Sequence, residues 1–106
     1  MSKIISGNQI GSTLAYSGVG NSTPTFSDDG SRLLIVTPTS YPPQGFNTRV
    51  SVVSTITGTQ IGKSLTFSGT ASGVMSADGA HALIIANTIN WLSLTTTSRV
   101  SILRIA

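Results

Sequence analysis

Cysteine and glutamate are absent from this 106-residue chain, and histidine occurs once, as His81. Without cysteine there is no disulfide framework and no thiolate metal site, and the redox compartment is left open. Charged residues make up 8%, against roughly 25% in an ordinary soluble domain. The acids are Asp28, Asp29 and Asp78 alone, so the net charge of +3 reflects scarce acids more than abundant bases. The six cations, Lys3, Arg32, Arg49, Lys63, Arg99 and Arg104, are scattered, with no two adjacent. No basic run exists to track a phosphate backbone, and a nucleic-acid partner is not expected. No apolar run reaches membrane-spanning length and no secretory pattern is present, so no membrane partner is expected and the chain carries no address. Helical periodicity is missing from every window.

What fills the chain instead is hydroxyl and small residues: 17 Ser, 15 Thr and 11 Gly, mixed with Val and Ile. That mixture favours strands and tight turns over helices. It is too apolar and too weakly charged for disorder, and the length suits one domain with a real core.

The chain also repeats itself. "ISGNQIGSTLAYSG" (5–18) returns as "ITGTQIGKSLTFSG" (56–69), an offset of 51. "TFSDDGSRLLIV" (25–36) returns as "VMSADGAHALII" (74–85), an offset of 49, and "TRVSVV" (48–53) returns as "SRVSIL" (98–103), an offset of 50. Similar offsets kept in the same order mark duplication of a unit of about 50 residues. Each unit reads as four strands. The first ends at Phe26 or Met75 and is followed by Asp29-Gly30 or Asp78-Gly79, a strong hairpin signal. The second is almost continuously apolar, Leu33–Val36 and Ala82–Ala86, and should be covered on both faces. The third alternates through Val50 and Val52, or Val100 and Ile102. The fourth alternates through Ile61, Leu65 and Phe67, and near the N-terminus through Ile10, Leu14 and Tyr16, the pattern of an outer strand.

The expected fold is therefore all-β, built of β-propeller blades: two four-stranded antiparallel blades per chain, completed by oligomerisation. The repeated core, "FSDDGSRL" and "MSADGAHAL", resembles the inner hairpin of YVTN-type and lactonase-like β-propeller repeats. "TRVSVVSTITGTQIG" resembles the strand, turn and strand that follow in repeats of large actinobacterial surface proteins. The resemblance implies a propeller fold and brings no catalytic residues with it; Phe26 becomes Met75 in the second copy, and no YVTN tetrapeptide occurs. Residues 1–106 then form a single two-blade unit: 23–68 a complete blade, 73–105 a three-stranded blade, and 8–17 an outer strand donated to a neighbouring blade. The competing fold is a β-sandwich of seven or eight strands, for which this length is ordinary.

Candidate chemistry is thin. A Ser-His-Asp triad around His81 is conceivable, yet Asp78 sits in a hairpin turn that already explains it, and the counterpart of His81 in the first copy is Arg32. Three aspartates could serve a hard cation, but two occupy the repeated turn position, where local backbone bonds account for them. No metal site, cofactor or catalytic residue is expected. "NST" at 21–23 is a chance-level glycosylation pattern in a chain this rich in Ser and Thr. The stretches 39–47 and 88–97 read as long loops at one rim, and carry Tyr41, Gln44, Phe46, Asn47, Asn90 and Trp91. These residues could stack on a sugar ring or seat a peptide; the favoured reading is that the aromatics cap neighbouring blades.

The expectation is a non-enzymatic, self-assembling structural module whose partner is itself, as a cyclic homotrimer before a homotetramer. The module could be natural or engineered, and the near-perfect doubling looks engineered without proving it. The alternative is a multivalent lectin-like propeller that uses the loop rim for a carbohydrate or peptide. An enzyme of lactonase type is the weakest reading, because acids and histidines are too few.

Overall fold

A computed structural model describes residues 8–41 and 45–105. Its strands are β1 (Thr23–Phe26), β2 (Arg32–Ser40), β3 (Asn47–Ser54), β4 (Leu65–Ser68), β5 (Thr70–Met75), β6 (His81–Asn90) and β7 (Thr95–Arg104). They form two antiparallel sheets, ordered β1-β2-β3-β4 and β5-β6-β7, each strand pairing with its neighbours in sequence. No helix occurs among the described residues. The chain is all-β.

Both Asp-Gly pairs turn as their composition requires. Gly30 (φ +75°) and Gly79 (φ +74°) take the left-handed conformation that only glycine adopts without strain, and join β1 to β2 and β5 to β6. The two prolines near these hairpins also sit where the ladder tolerates them. Pro24 is on the edge strand β1, and Pro38 lies beyond the end of the β1 pairing, beside a register shift at Pro38/Ser40.

The core lies between the sheets. Leu34, Val36, Val50 and Val52 of the first meet Ala82 and Ile84 of the second and Ile105, flanked by Ile61, Phe67, Ala71, Met75 and Leu103. Leu34 of the first sheet and Ile84 of the second are the largest fully buried side chains. Gly73 leaves room for this packing, since a Cβ there would fall 2.6 Å from Leu34 Cδ2 and 2.8 Å from Ile84 Cδ1.

The link between the sheets is a single residue. Gly69 (φ +100°) stands between Ser68 and Thr70, donates its N–H to Phe46 O and accepts from Thr48 Oγ1 at 2.9 Å. A side chain there would collide with the carbonyl oxygen of Asn87.

Two expectations need correction. The loops are shorter than 39–47 and 88–97: β2 and β3 continue to Ser40 and from Asn47, and β6 and β7 close on the turn Trp91–Leu94. Threonine-rich backbone pairs as far as Asn90↔Thr95, past the point where apolar alternation fades. The fourth strand is also shorter, because Gly62 (φ +70°) breaks it and regular pairing begins at Leu65. In the single chain, Ala82, Ile84 and Ala86 of β6 are buried, while Leu83 and Ile85 on the other face are half-buried.

Candidate functional site

The residues proposed from sequence for the rim lie on two hairpins. Tyr41 and Phe46 belong to the β2–β3 hairpin, where their rings meet edge to face with centroids 5.8 Å apart. Asn47 Nδ2 donates to Ser40 Oγ at 3.0 Å, and that hydroxyl donates to Gly45 O at 2.7 Å, so these groups brace their own loop. Gln44 lies outside the described residues. On the other hairpin, Asn90 Oδ1 accepts from the Leu92 and Ser93 amides at 3.0 and 3.4 Å, and so sets the turn. Trp91 is 67% exposed, and Leu92 and Leu94 stand open beside it. Tyr41 and Phe46 pack on each other, whereas most of Trp91 is open to solvent. The polar groups that would orient a ligand are occupied in turn formation.

The hairpin turns carry more order. In the first, Ser27 N donates to Arg32 O (3.0 Å), Gly30 N to Ser27 O (2.9 Å), Ser27 Oγ to Asp29 Oδ1 (2.7 Å), Ser31 N to the same oxygen (2.9 Å) and Arg32 N to Ser27 Oγ (3.1 Å). The second repeats all five with Ser76, Asp78, Gly79, Ala80 and His81, at 2.9, 3.0, 2.9, 3.0 and 3.0 Å. These donors hold both carboxyls below the usual aspartate range: chiefly the Ser31 hydroxyl and amide for Asp29, and the Ala80 amide and Ser76 hydroxyl for Asp78. Asp78 thus serves the turn, and its recorded hydrogen-bond donors are Ser76 and Ala80 rather than the His81 ring. Among the described residues no three potential metal-ligating side chains come together.

The turns also touch each other. Asp29 N donates to Ala77 O at 2.9 Å, and the Arg32 side chain lies over Gly79 so closely that a Cβ there would strike its Cγ. The counterpart, Gly30, has nothing within 4 Å of the position its Cβ would take.

Compared with protein-family models, curated proteins and solved structures, the chain matches none. Its own internal repeat is therefore the comparison that bears on the site.

That repeat exposes an asymmetry. The positions of the first sheet that face the second are Thr25, Leu34, Val36, Val50 and Val52. The offsets of 49 and 50 make their counterparts Val74, Leu83, Ile85, Val100 and Ile102, which register places together on the outer face of the second sheet. Val50 is 2% exposed and Val100 61%; Val52 is 8% exposed and Ile102 68%. The sequence reading expected 82–86 to be covered by blades on both sides once chains assemble; in the single chain Val74, Val100 and Ile102 continue the apolar face beside Leu83 and Ile85. Aligning the copies position by position was the signal that could have shown it.

The opposite face of the first sheet is partly covered by the chain's own N-terminal segment. Arg49 donates to Ser17 O, and Tyr16 OH donates to Gln60 Oε1 at 2.8 Å. Gln60 Nε2 continues to Ser64 Oγ (3.2 Å), which bonds Ser51 Oγ (2.6 Å). Burial raises the Tyr16 hydroxyl above its ordinary range, against the nearby Arg49 charge. Residues 8–17 form no strand in the single chain.

Proposed function

We propose that this chain is a non-enzymatic structural module that assembles with copies of itself into a closed homo-oligomeric ring. In this reading its sheets are β-propeller blades of the YVTN-like kind that the "FSDDG" and "MSADG" turns resemble. One observation carries the proposal: Leu34, Val36, Val50 and Val52 are buried between the sheets, whereas their repeat counterparts Leu83 and Ile85 are half-buried and Val100 and Ile102 exposed. An apolar face of this kind, on a chain with 8% charged residues, is an aggregation hazard unless something covers it. The surface that repetition makes complementary to it is the other face of the first sheet, with Pro24, Phe26, Leu33 and Ile35. One face meeting a different face is a heterologous contact, which closes into a ring when the rotation allows. Closed propellers hold 4–8 blades, and units of about 50 residues suit six, so the reading favours three chains and then four.

Native mass by light scattering tests it. Three chains of 10.9 kDa give about 33 kDa and four about 44 kDa; a stable species near 11 kDa would refute the ring. A second reading, a multivalent lectin-like propeller, draws on Trp91, 67% exposed at its hairpin tip. On a glycan array that reading requires binding which Trp91→Ala removes.

A further inference from the structure

We infer that residues 14–17 are the fourth strand of another copy's second sheet, paired antiparallel with its β7 in a defined register. The inference rests on the ring reading and adds the atoms that would make the contact. The starting observation is how the chain enters each sheet. Gly69 packs against the carbonyl of Asn87, and Thr70 pairs with Asn87 at the head of β5. At the repeat offsets, Gly18 packs against the carbonyl of Pro38, and Val19 N donates to Pro38 O at 2.9 Å. Gly11 and Gly62, another equivalent pair, share φ of +72° and +70°.

The segment before Gly18 therefore stands to the first sheet as β4 stands to the second. β4 does two things at once: it completes its own sheet by pairing with β3, and it packs Phe67 towards the second sheet. Residues 14–17 do only the second, setting Tyr16 beside Ser51 and Gln60. Their pairing edge lacks a β3. Among the described residues, the third strand without a fourth beside it is β7, the counterpart of β3. The free edge of β7 borders an apolar cleft of about 380 Å³, lined by Val52, Ile61, Leu65, Ile102 and Ile105 among others.

Transferring the observed β3–β4 register, Asn47↔Ser68 through Val50↔Leu65, gives the contact between copies. Thr97 pairs with Ser17 of the next copy, Ser98 with Tyr16, Arg99 with Ala15 and Val100 with Leu14. The same step brings the inner turns together. As Arg32 lies over Gly79 and Asp29 N donates to Ala77 O within one chain, His81 is to lie over the next copy's Gly30, with Asp78 N donating to its Asp28 O. The open space above Gly30 is the seat that this contact fills.

The chain's lack of cysteine makes a clean test. Directly opposed strand residues have Cα atoms within disulfide range, whereas a shift of two residues puts them beyond it. Ala15→Cys with Arg99→Cys should, on oxidation, link copies into a covalent ladder ending at the ring mass, while Ala15→Cys with Ser101→Cys should not. A ring mass with cross-links only in the shifted pair, or in neither, overturns the register and leaves the ring standing. A disulfide within one chain overturns the donation, and a monomeric parent overturns the ring itself. Gly30→Asn gives an independent arm, because asparagine tolerates the positive φ while filling the seat. Its chains should melt as the parent's do when dilute but need on the order of tenfold more protein to assemble; unchanged assembly would remove His81 from the contact.

Discussion

Val52 in the first sheet and Ile102 in the second occupy the same place in the same repeat, yet one is 8% exposed and the other 68%. Gly79 lies under Arg32, and Gly30 lies under nothing. The five turn hydrogen bonds are nevertheless the same in both copies, to within about 0.2 Å. What a repeat inherits is its local chemistry; what covers it depends on its neighbour. One chain supplies a neighbour for one face of each copy, so equivalent residues acquire unequal energetic roles.

Charge on the two kinds of face should separate those roles most sharply. Ile84 is 1% exposed in the core, and Ile84→Asp buries a carboxylate without a partner, a cost of several kcal/mol. That variant should not fold, as read by far-UV circular dichroism and the loss of a melting transition. Ile102→Asp places the same charge on the open face. It should leave a folded chain by circular dichroism and abolish assembly by native mass; a fully assembled Ile102→Asp protein would break the comparison.

The two turn glycines come next in size. Gly79→Val and Gly30→Val both force a β-branched residue to positive φ, at about 1–3 kcal/mol. Only at Gly79 does the new side chain also meet Arg32. Melting temperatures in dilute solution should therefore fall for both and further for Gly79→Val. Equal losses would mean that Arg32 simply moves aside.

The smallest effect is acid lability. Asp29 and Asp78 titrate below their ordinary value of 3.8 in the folded chain because turn hydrogen bonds favour the carboxylate. A lowered folded pKa gives stability that is present above the unfolded value and lost as pH falls through the folded one. The melting temperature should hold down to about pH 5, then decline below about pH 4. Asp29→Asn with Asp78→Asn should flatten that decline, leaving Asp28 as the one acidic side chain.

Much of this architecture was legible in the residues. Asp-Gly at a fixed place announces a hairpin because positive φ admits little else, and the order of the strands followed from the duplication. Strand ends were less legible, since Thr88–Asn90 and Thr95–Thr97 pair through backbone that no apolar pattern advertises. The break at Gly62 was equally hidden. The local roles at the rim were also hidden: Asn47 and Asn90 carry the groups a ligand would want, yet each is engaged by its own turn. That a lone chain leaves apolar surface open was legible from the blade pattern; which residues stay open was not, because Val100 and Ile102 look as core-like as Val50 and Val52 and only a three-dimensional neighbour distinguishes them.

The one-residue link at Gly69 has a mechanical consequence. Its amide and carbonyl are both bonded to the first sheet, its Cα is pressed against the second, and no slack chain lies between Ser68 and Thr70. A hinge needs residues free to change φ and ψ, and this junction has none to offer. The angle between the sheets is thus a property of the covalent chain rather than of solution conditions. Any assembly that repeats this angle inherits a single curvature, and so should appear as one sharp species rather than a distribution of sizes.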